Sequence, residues 1–261
     1  MAGKYKIQIV APGRTGSTFL HQVLSDELVG DSAYRFNEPI GTPYNNLLLG
    51  GELFDEESLS DVQHVIENSK FFDSLNSDNV VVKNVVMPLK RMKDSHPILW
   101  KEYTTHNWNT VILYRQDLFS TIISYCIAEY KNKNDDNNNH FQNYTDKLDN
   151  QLTFDQEYFT EKFMFYVEQY KILVEFMNEF ENHIVLAYED FPDDHVDIKR
   201  KVHGFTDLNN EEQIENILTK NVDNKDSIEN HEELHTLFLT LVEKFVVDGI
   251  EISEDGMLSM N

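Results

Sequence analysis

The pattern that most constrains this chain is a set of short β-branched apolar runs separated by helix-length stretches. The runs are KIQIVA (6–11), NVVVKNVVM (Asn79 to Met87), NTVILY (Asn109 to Tyr114) and HIVLAY (His183 to Tyr188). Apolar residues at successive rather than alternate positions fit strands covered on both faces, and parallel strands need crossovers long enough for a helix. Apolar spacing predicts helices over Ser17 to Leu28, Leu118 to Glu129, Asp155 to Phe180 and Glu232 to Val247. In the third, Phe159, Phe163, Tyr166, Tyr170, Leu173 and Met177 recur at three- and four-residue spacing and are expected in the core. The expected fold is α/β with a central, mainly parallel sheet.

No Pro/Gly/Ser-rich linker divides the 261 residues, so a single domain over 1–261 is expected. The stretch KNKNDDNNNHFQN after Tyr130 has no periodicity and little to bury, which predicts a mobile surface loop over 131–144. The net charge of −24, from 46 acidic and 22 basic residues, disfavours nucleic acid and anionic membranes as partners. An anionic ligand therefore needs a local cluster of donors. No run approaches the roughly 20 apolar residues of a membrane span, and MAGKYKIQIV has no long apolar core after its basic residues. The expectation is a soluble, cytoplasmic protein. Its single cysteine, Cys126, excludes an internal disulfide.

The first strand run feeds directly through PGRTGST into a helix. Such a junction aims backbone N–H groups and the positive end of the helix dipole at one point. Gly13 and Gly16 let the backbone approach an anion, Ser17 and Thr18 add hydroxyl donors, and Arg14 adds a permanent cation with a fork of donors. A nucleotide-hydrolase loop has G-x-x-x-x-G-K-[ST], and both that spacing and its lysine are missing. Where a phosphotransferase carries an aspartate for Mg²⁺ at a neighbouring strand end, NTVILY is followed by Arg115. Ser124 lies nine residues further on, after the start of a new helix. The pattern suggests a ligand anionic at two points and a transfer that requires no metal.

PGRTGSTFL resembles the 5′-phosphosulfate loop of sulfotransferases, and YRQDLFSTIIS resembles their 3′-phosphate segment. FNEPI (Phe36 to Ile40), VLAYEDF (Val185 to Phe191) and KNVDNKDSIENHEEL (Lys220 to Leu234) are similar to further elements of that family, in family order. The resemblance implies a P-loop-type three-layer α/β/α fold. It implies 3′-phosphoadenosine 5′-phosphosulfate as donor, adenosine 3′,5′-bisphosphate as product, and an acceptor hydroxyl or amine, tilting toward a carbohydrate. It assigns Gly13, Arg14, Thr15, Gly16, Ser17 and Thr18 to the 5′ side and Arg115 and Ser124 to the 3′-phosphate. Tyr188 falls to the adenine region and Lys220 to the donor's phosphates.

For the base, the resemblance to carbohydrate-type members points to Glu38, held before Pro39; the histidine used by cytosolic members is replaced here by Asn84. Lys83 reads either as a strand-end lysine near the transferred group or as a solvated end. Lys90, Arg91 and Lys93 read as a solvated helix face rather than an acceptor site. HEELH (His231 to His235) fits the H-E-x-x-H zinc pattern, but acids flank it and no third ligand is indicated, so it reads as a helix start and no metal is assigned. Two other functions remain open: a P-loop kinase with an atypical loop, and a noncatalytic nucleotide-binding protein of the same fold.

Overall fold

The computed structural model describes residues 5–25, 34–37, 79–134, 151–191, 201–202, 204–205, 228–245, 249–253 and 255–260. They belong to two compact units, one of Met1–Tyr114 with Glu175–Asn216 and one of Arg115–Val174 with Ile217–Asn261.

The first unit is built on a five-stranded sheet. Its strands are β1 (Tyr5–Ala11), β2 (Tyr34–Asn37), β3 (Asn79–Val85), β4 (Asn109–Tyr114) and β5 (His183–Ala187). Their order is β2-β3-β1-β4-β5 and every neighbouring pair is parallel. β1 is central, with Ile9 in register with Lys83 on one side and Val111 on the other. On one face Ile7, Ile9, Ala11, Val81, Val111 and Leu113 form a core with Leu20 and Leu24 of α1 (Ser17–Ser25). The chain leaves β3 through α2 (Val86–Ser95), and the opposite face meets α3 (Pro97–Thr105), so the sheet is covered on both sides. The architecture is α/β with a central parallel sheet.

That second face carries a buried polar chain. Asn84 Nδ2 donates to the Tyr103 hydroxyl at 2.9 Å, that hydroxyl donates to Gln8 Oε1, and Gln8 Nε2 donates to Thr110 Oγ1 at 2.7 Å. β3, α3, β1 and β4 are joined in this way. Burial also pushes the Tyr103 phenol far above its usual range, which keeps it a neutral donor.

The second unit holds α4 (Leu118–Asn134), α5 (Gln156–Glu179) as far as Val174, α6 (His231–Val242) and an antiparallel pair, β6 (Ile250–Ile252) and β7 (Leu258–Met260). Its aromatic core includes Phe119, Phe159, Phe163, Tyr166 and Phe238, with Phe119 and Phe163 rings 5.4 and 5.9 Å from Phe238. Lys162 is buried in a cage. Its Nζ lies 3.0 Å from Glu129 Oε2 and 4.8 Å from the Tyr158 ring centroid, while the Tyr158 hydroxyl donates to the same carboxylate at 2.8 Å. Burial pushes the neighbouring Cys126 thiol up to about 12.

Several sequence boundaries shift. β3 stops at Val85, and Val86 and Met87 open α2, whose Pro88 sits in the first turn, where a helix tolerates it. β5 stops at Ala187, and Tyr188 opens a 3₁₀ turn. α4 runs to Asn134, so residues 131–134 are helical rather than part of the expected loop; no Gly or Pro stops the helix there. The remainder of that loop lies outside the described residues. Of the predicted aromatic face, Phe159, Phe163, Tyr166, Tyr170 and Leu173 are buried, but Phe176 takes the core position in place of Met177. Among the described residues no helix is long and apolar enough to cross a membrane.

Two outcomes follow. Tyr103→Phe keeps the ring but leaves Gln8 Oε1 and Asn84 Nδ2 without that hydroxyl, so chemical denaturation should show a loss of about 1–3 kcal/mol. Cys126, protonated at neutral pH and buried, should resist a disulfide reagent in the native protein and react fully once the chain is unfolded.

Candidate functional site

From β1 the chain builds one side of the sheet through β2 and β3, then crosses to the other side for β4 and β5. In such a sheet the crevice opens outside the carboxyl ends of the strands where the order reverses, here β1 and β4. β1 runs into the Pro12–Gly16 turn at that end. Thr15 is fully buried, and its hydroxyl closes the turn by donating to the Pro12 carbonyl at 2.8 Å. Arg14 and Gly16 both take left-handed backbone, with φ of 65° and 78°. For arginine this costs roughly 1–2 kcal/mol, and the turn holds it there. Ser17 opens α1 and is buried, Thr18 is exposed, and the Leu20 N–H makes a helical bond to the Gly16 carbonyl at 3.1 Å. The first-turn amides of α1 have no intrahelical acceptor and stand at the carboxyl end of the sheet.

Lys83 reaches this loop from β3. It is 3% exposed, and its Nζ donates to Thr18 Oγ1 at 2.9 Å. It is therefore not a solvated strand end. A buried ammonium group is costly unless polar groups receive it, and here it meets the hydroxyl at the start of α1. Tyr188 arrives from the end of β5. A Cβ at Gly16 would lie 2.4 and 2.5 Å from Tyr188 Cδ2 and Cε2, so the tyrosine ring rests against bare backbone. Tyr188 is edge-on to Phe191 at 5.7 Å, and Phe191 lies 6.4 Å from Phe19 of α1. The structure thus brings Gly13 to Thr18, Lys83 and Tyr188 to the carboxyl ends of the first unit's strands.

Arg115 and Ser124 belong to the second unit. The Tyr170 hydroxyl accepts from the Arg115 N–H at 3.3 Å and donates to the Arg115 carbonyl at 3.0 Å, which fixes the arginine backbone from both sides. Asp117 caps α4, with Oδ1 accepting from the Ser120 N–H at 2.8 Å, and Ser124 lies buried on that helix. Tyr170 read as core in the sequence; its second task depends on a contact between residues 55 positions apart. Glu38 and Lys220 lie outside the described residues.

Other features resolve as packing. Lys90 pairs with Asp94 at 3.1 Å and Glu175 at 3.5 Å, and Lys93 pairs with Glu179, so these two lysines lie on a salt-bridged helix face. The hydrogen bond to Asp94 raises the Lys90 pKa. In HEELH the two imidazoles lie 5.1 and 4.9 Å from the Phe119 ring, edge to face. Among the described residues no group of three or more His, Cys, Asp or Glu side chains is placed to hold a metal ion.

No protein-family model matches the sequence, and no curated protein sequence does. Several solved structures are similar to it, and three of them are sulfotransferases. A mouse sulfotransferase, SULT7A1, complexed with PAP, is 14% identical with a TM-score of 0.40, over 81% of this chain and 62% of that one. The chain thus spans less than two thirds of the mouse protein. A sulfotransferase domain from the curacin biosynthetic pathway is 13% identical with a TM-score of 0.46, over 81% and 76%. A sulfotransferase from Alicyclobacillus acidocaldarius is 12% identical with a TM-score of 0.41, over 92% and 96%.

Tyr170→Phe keeps the buried ring and removes both bonds to the Arg115 backbone. Urea unfolding should show the midpoint falling by the equivalent of about 1–3 kcal/mol with an unchanged slope.

Proposed function

We propose that this protein is a sulfotransferase, moving a sulfuryl group from 3′-phosphoadenosine 5′-phosphosulfate to an acceptor hydroxyl by in-line displacement without a metal. The observation that carries this reading is the cationic seat at the end of β1. Arg14 sits in a left-handed turn, and the buried Lys83 ammonium donates to Thr18 in the first turn of α1. The seat suits a terminal phosphate or phosphosulfate, and the cations come from the turn and from β3 rather than from a loop lysine.

In this mechanism the bond from sulfur to the 5′-phosphate oxygen breaks, and its electron pair leaves with the phosphate. Arg14, Lys83 and the amides from Gly13 to Thr18, Thr15 included, stabilise the charge that grows there, and the Ser17 and Thr18 hydroxyls assist. The acceptor oxygen bonds to sulfur and gives its proton to the Glu38 carboxylate, the base assigned from the sequence. The sequence resemblance, rather than the arrangement of the two units, assigns Arg115 and Ser124 to the 3′-phosphate, Tyr188 to the adenine region and Lys220 to the donor's phosphates. A carbohydrate hydroxyl is the acceptor class we favour, because FNEPI resembles carbohydrate-type members. An acidic chain of net charge −24 suits a neutral acceptor better than a polyanionic one.

Thermal shift separates this reading from a kinase. Adenosine 3′,5′-bisphosphate at about 100 times its Kd should stabilise the protein by about 2.7 kcal/mol, and ADP and Mg·ATP should stabilise it less. Stabilisation by Mg·ATP alone points to the kinase. With a sugar acceptor and the sulfated donor, Glu38→Gln should lower kcat about 100-fold or more; an unchanged rate removes Glu38 as the base.

A further inference from the structure

We propose that Tyr188 is a positioning residue for the phosphate loop, acting as an aromatic clamp that holds the Arg14–Gly16 turn in shape whether or not a ligand is bound. Two left-handed residues, one of them an arginine, occur within three positions of this turn. A backbone in that region persists only where its surroundings impose it. Thr15 supplies one restraint from inside the turn through its bond to Pro12. The other restraint comes from the far edge of the sheet.

The Tyr188 ring occupies the space where a side chain at position 16 would project. Gly16 is therefore required twice, once by its φ of 78° and once by the ring. The ring is itself braced by Phe191, which packs toward Phe19 on the helix that the loop opens. The three rings link the end of β5 to α1, so the turn between β1 and α1 is held at Gly16 and at Phe19. Because the contact is made by ring carbons Cδ2 and Cε2, phenylalanine should preserve it and alanine should abolish it.

The clamp itself rests on geometry alone; its consequence for ligand binding rests on the phosphate-seat reading above. The test uses the full chain without ligand. Hydrogen exchange of peptides covering Ala11 to Leu20 is measured by mass spectrometry in wild type, Tyr188→Phe and Tyr188→Ala. We expect exchange about tenfold faster in Tyr188→Ala, wild-type rates in Tyr188→Phe, and no change in β4. Gly16→Ala is then made in both backgrounds. Its destabilisation should be smaller where the ring is gone, because only the φ penalty remains. Unchanged loop exchange in Tyr188→Ala, or an equal Gly16→Ala effect in both backgrounds, overturns the clamp. Titration with adenosine 3′,5′-bisphosphate separates the two ideas. Affinity lost in Tyr188→Ala with loop exchange intact makes Tyr188 a ligand contact only and overturns the clamp. Fast loop exchange in Tyr188→Ala supports the clamp even if wild type binds no nucleotide, a result that would sink the phosphate-seat reading.

Discussion

The left-handed turn between β1 and α1 is the constraint on which this end of the molecule depends. Arg14 and Gly16 at φ of 65° and 78° turn the chain from the central strand into a helix within a few residues. Because every neighbouring pair in the sheet is parallel, all five strands end at the same edge. A lysine near the end of β3 and a tyrosine just beyond β5 are delivered to the loop by that parallel arrangement. An antiparallel neighbour would bring its opposite end to the turn.

The sequence made the central strands legible for a physical reason. β1 and β4 are covered on both faces, so apolar residues dominate both, and NTVILY matches β4 residue for residue. Gln8, Asn84 and Thr110 depart from that pattern, and the structure explains them through the Tyr103 hydroxyl, which the sequence does not reveal. β2, at four residues, is too short to show a period, and α2 shows in the sequence only as the charged helix face at Lys90 to Lys93, its start being merged with the apolar run of β3. The loop itself was legible because glycine, arginine and hydroxyl residues follow a strand directly. Its support was not: Tyr188 against Gly16 and Tyr170 around Arg115 are long-range contacts, and local spacing carries no trace of them.

Charge is distributed with the same economy. In a chain of net charge −24, several lysines are matched by acids on their own unit: Lys90 by Asp94 and Glu175, Lys93 by Glu179, Lys162 by Glu129 and Glu161. Lys83 lies in the sheet interior, and its ammonium donates to the Thr18 hydroxyl in the first turn of α1. In the proposed function this ammonium, Arg14 and the helix dipole together would hold an anion inside a protein whose overall field repels anions. Screening by salt weakens the long-range repulsion more than the contact attraction.

The most direct test of the central claim is a crystal structure of the protein grown with adenosine 3′,5′-bisphosphate. The account predicts the 5′-phosphate on the amides of Gly13 to Thr18, with Arg14 and Lys83 within hydrogen-bond distance of its oxygens. A nucleotide bound elsewhere, or a 5′-phosphate that avoids that loop, would contradict it.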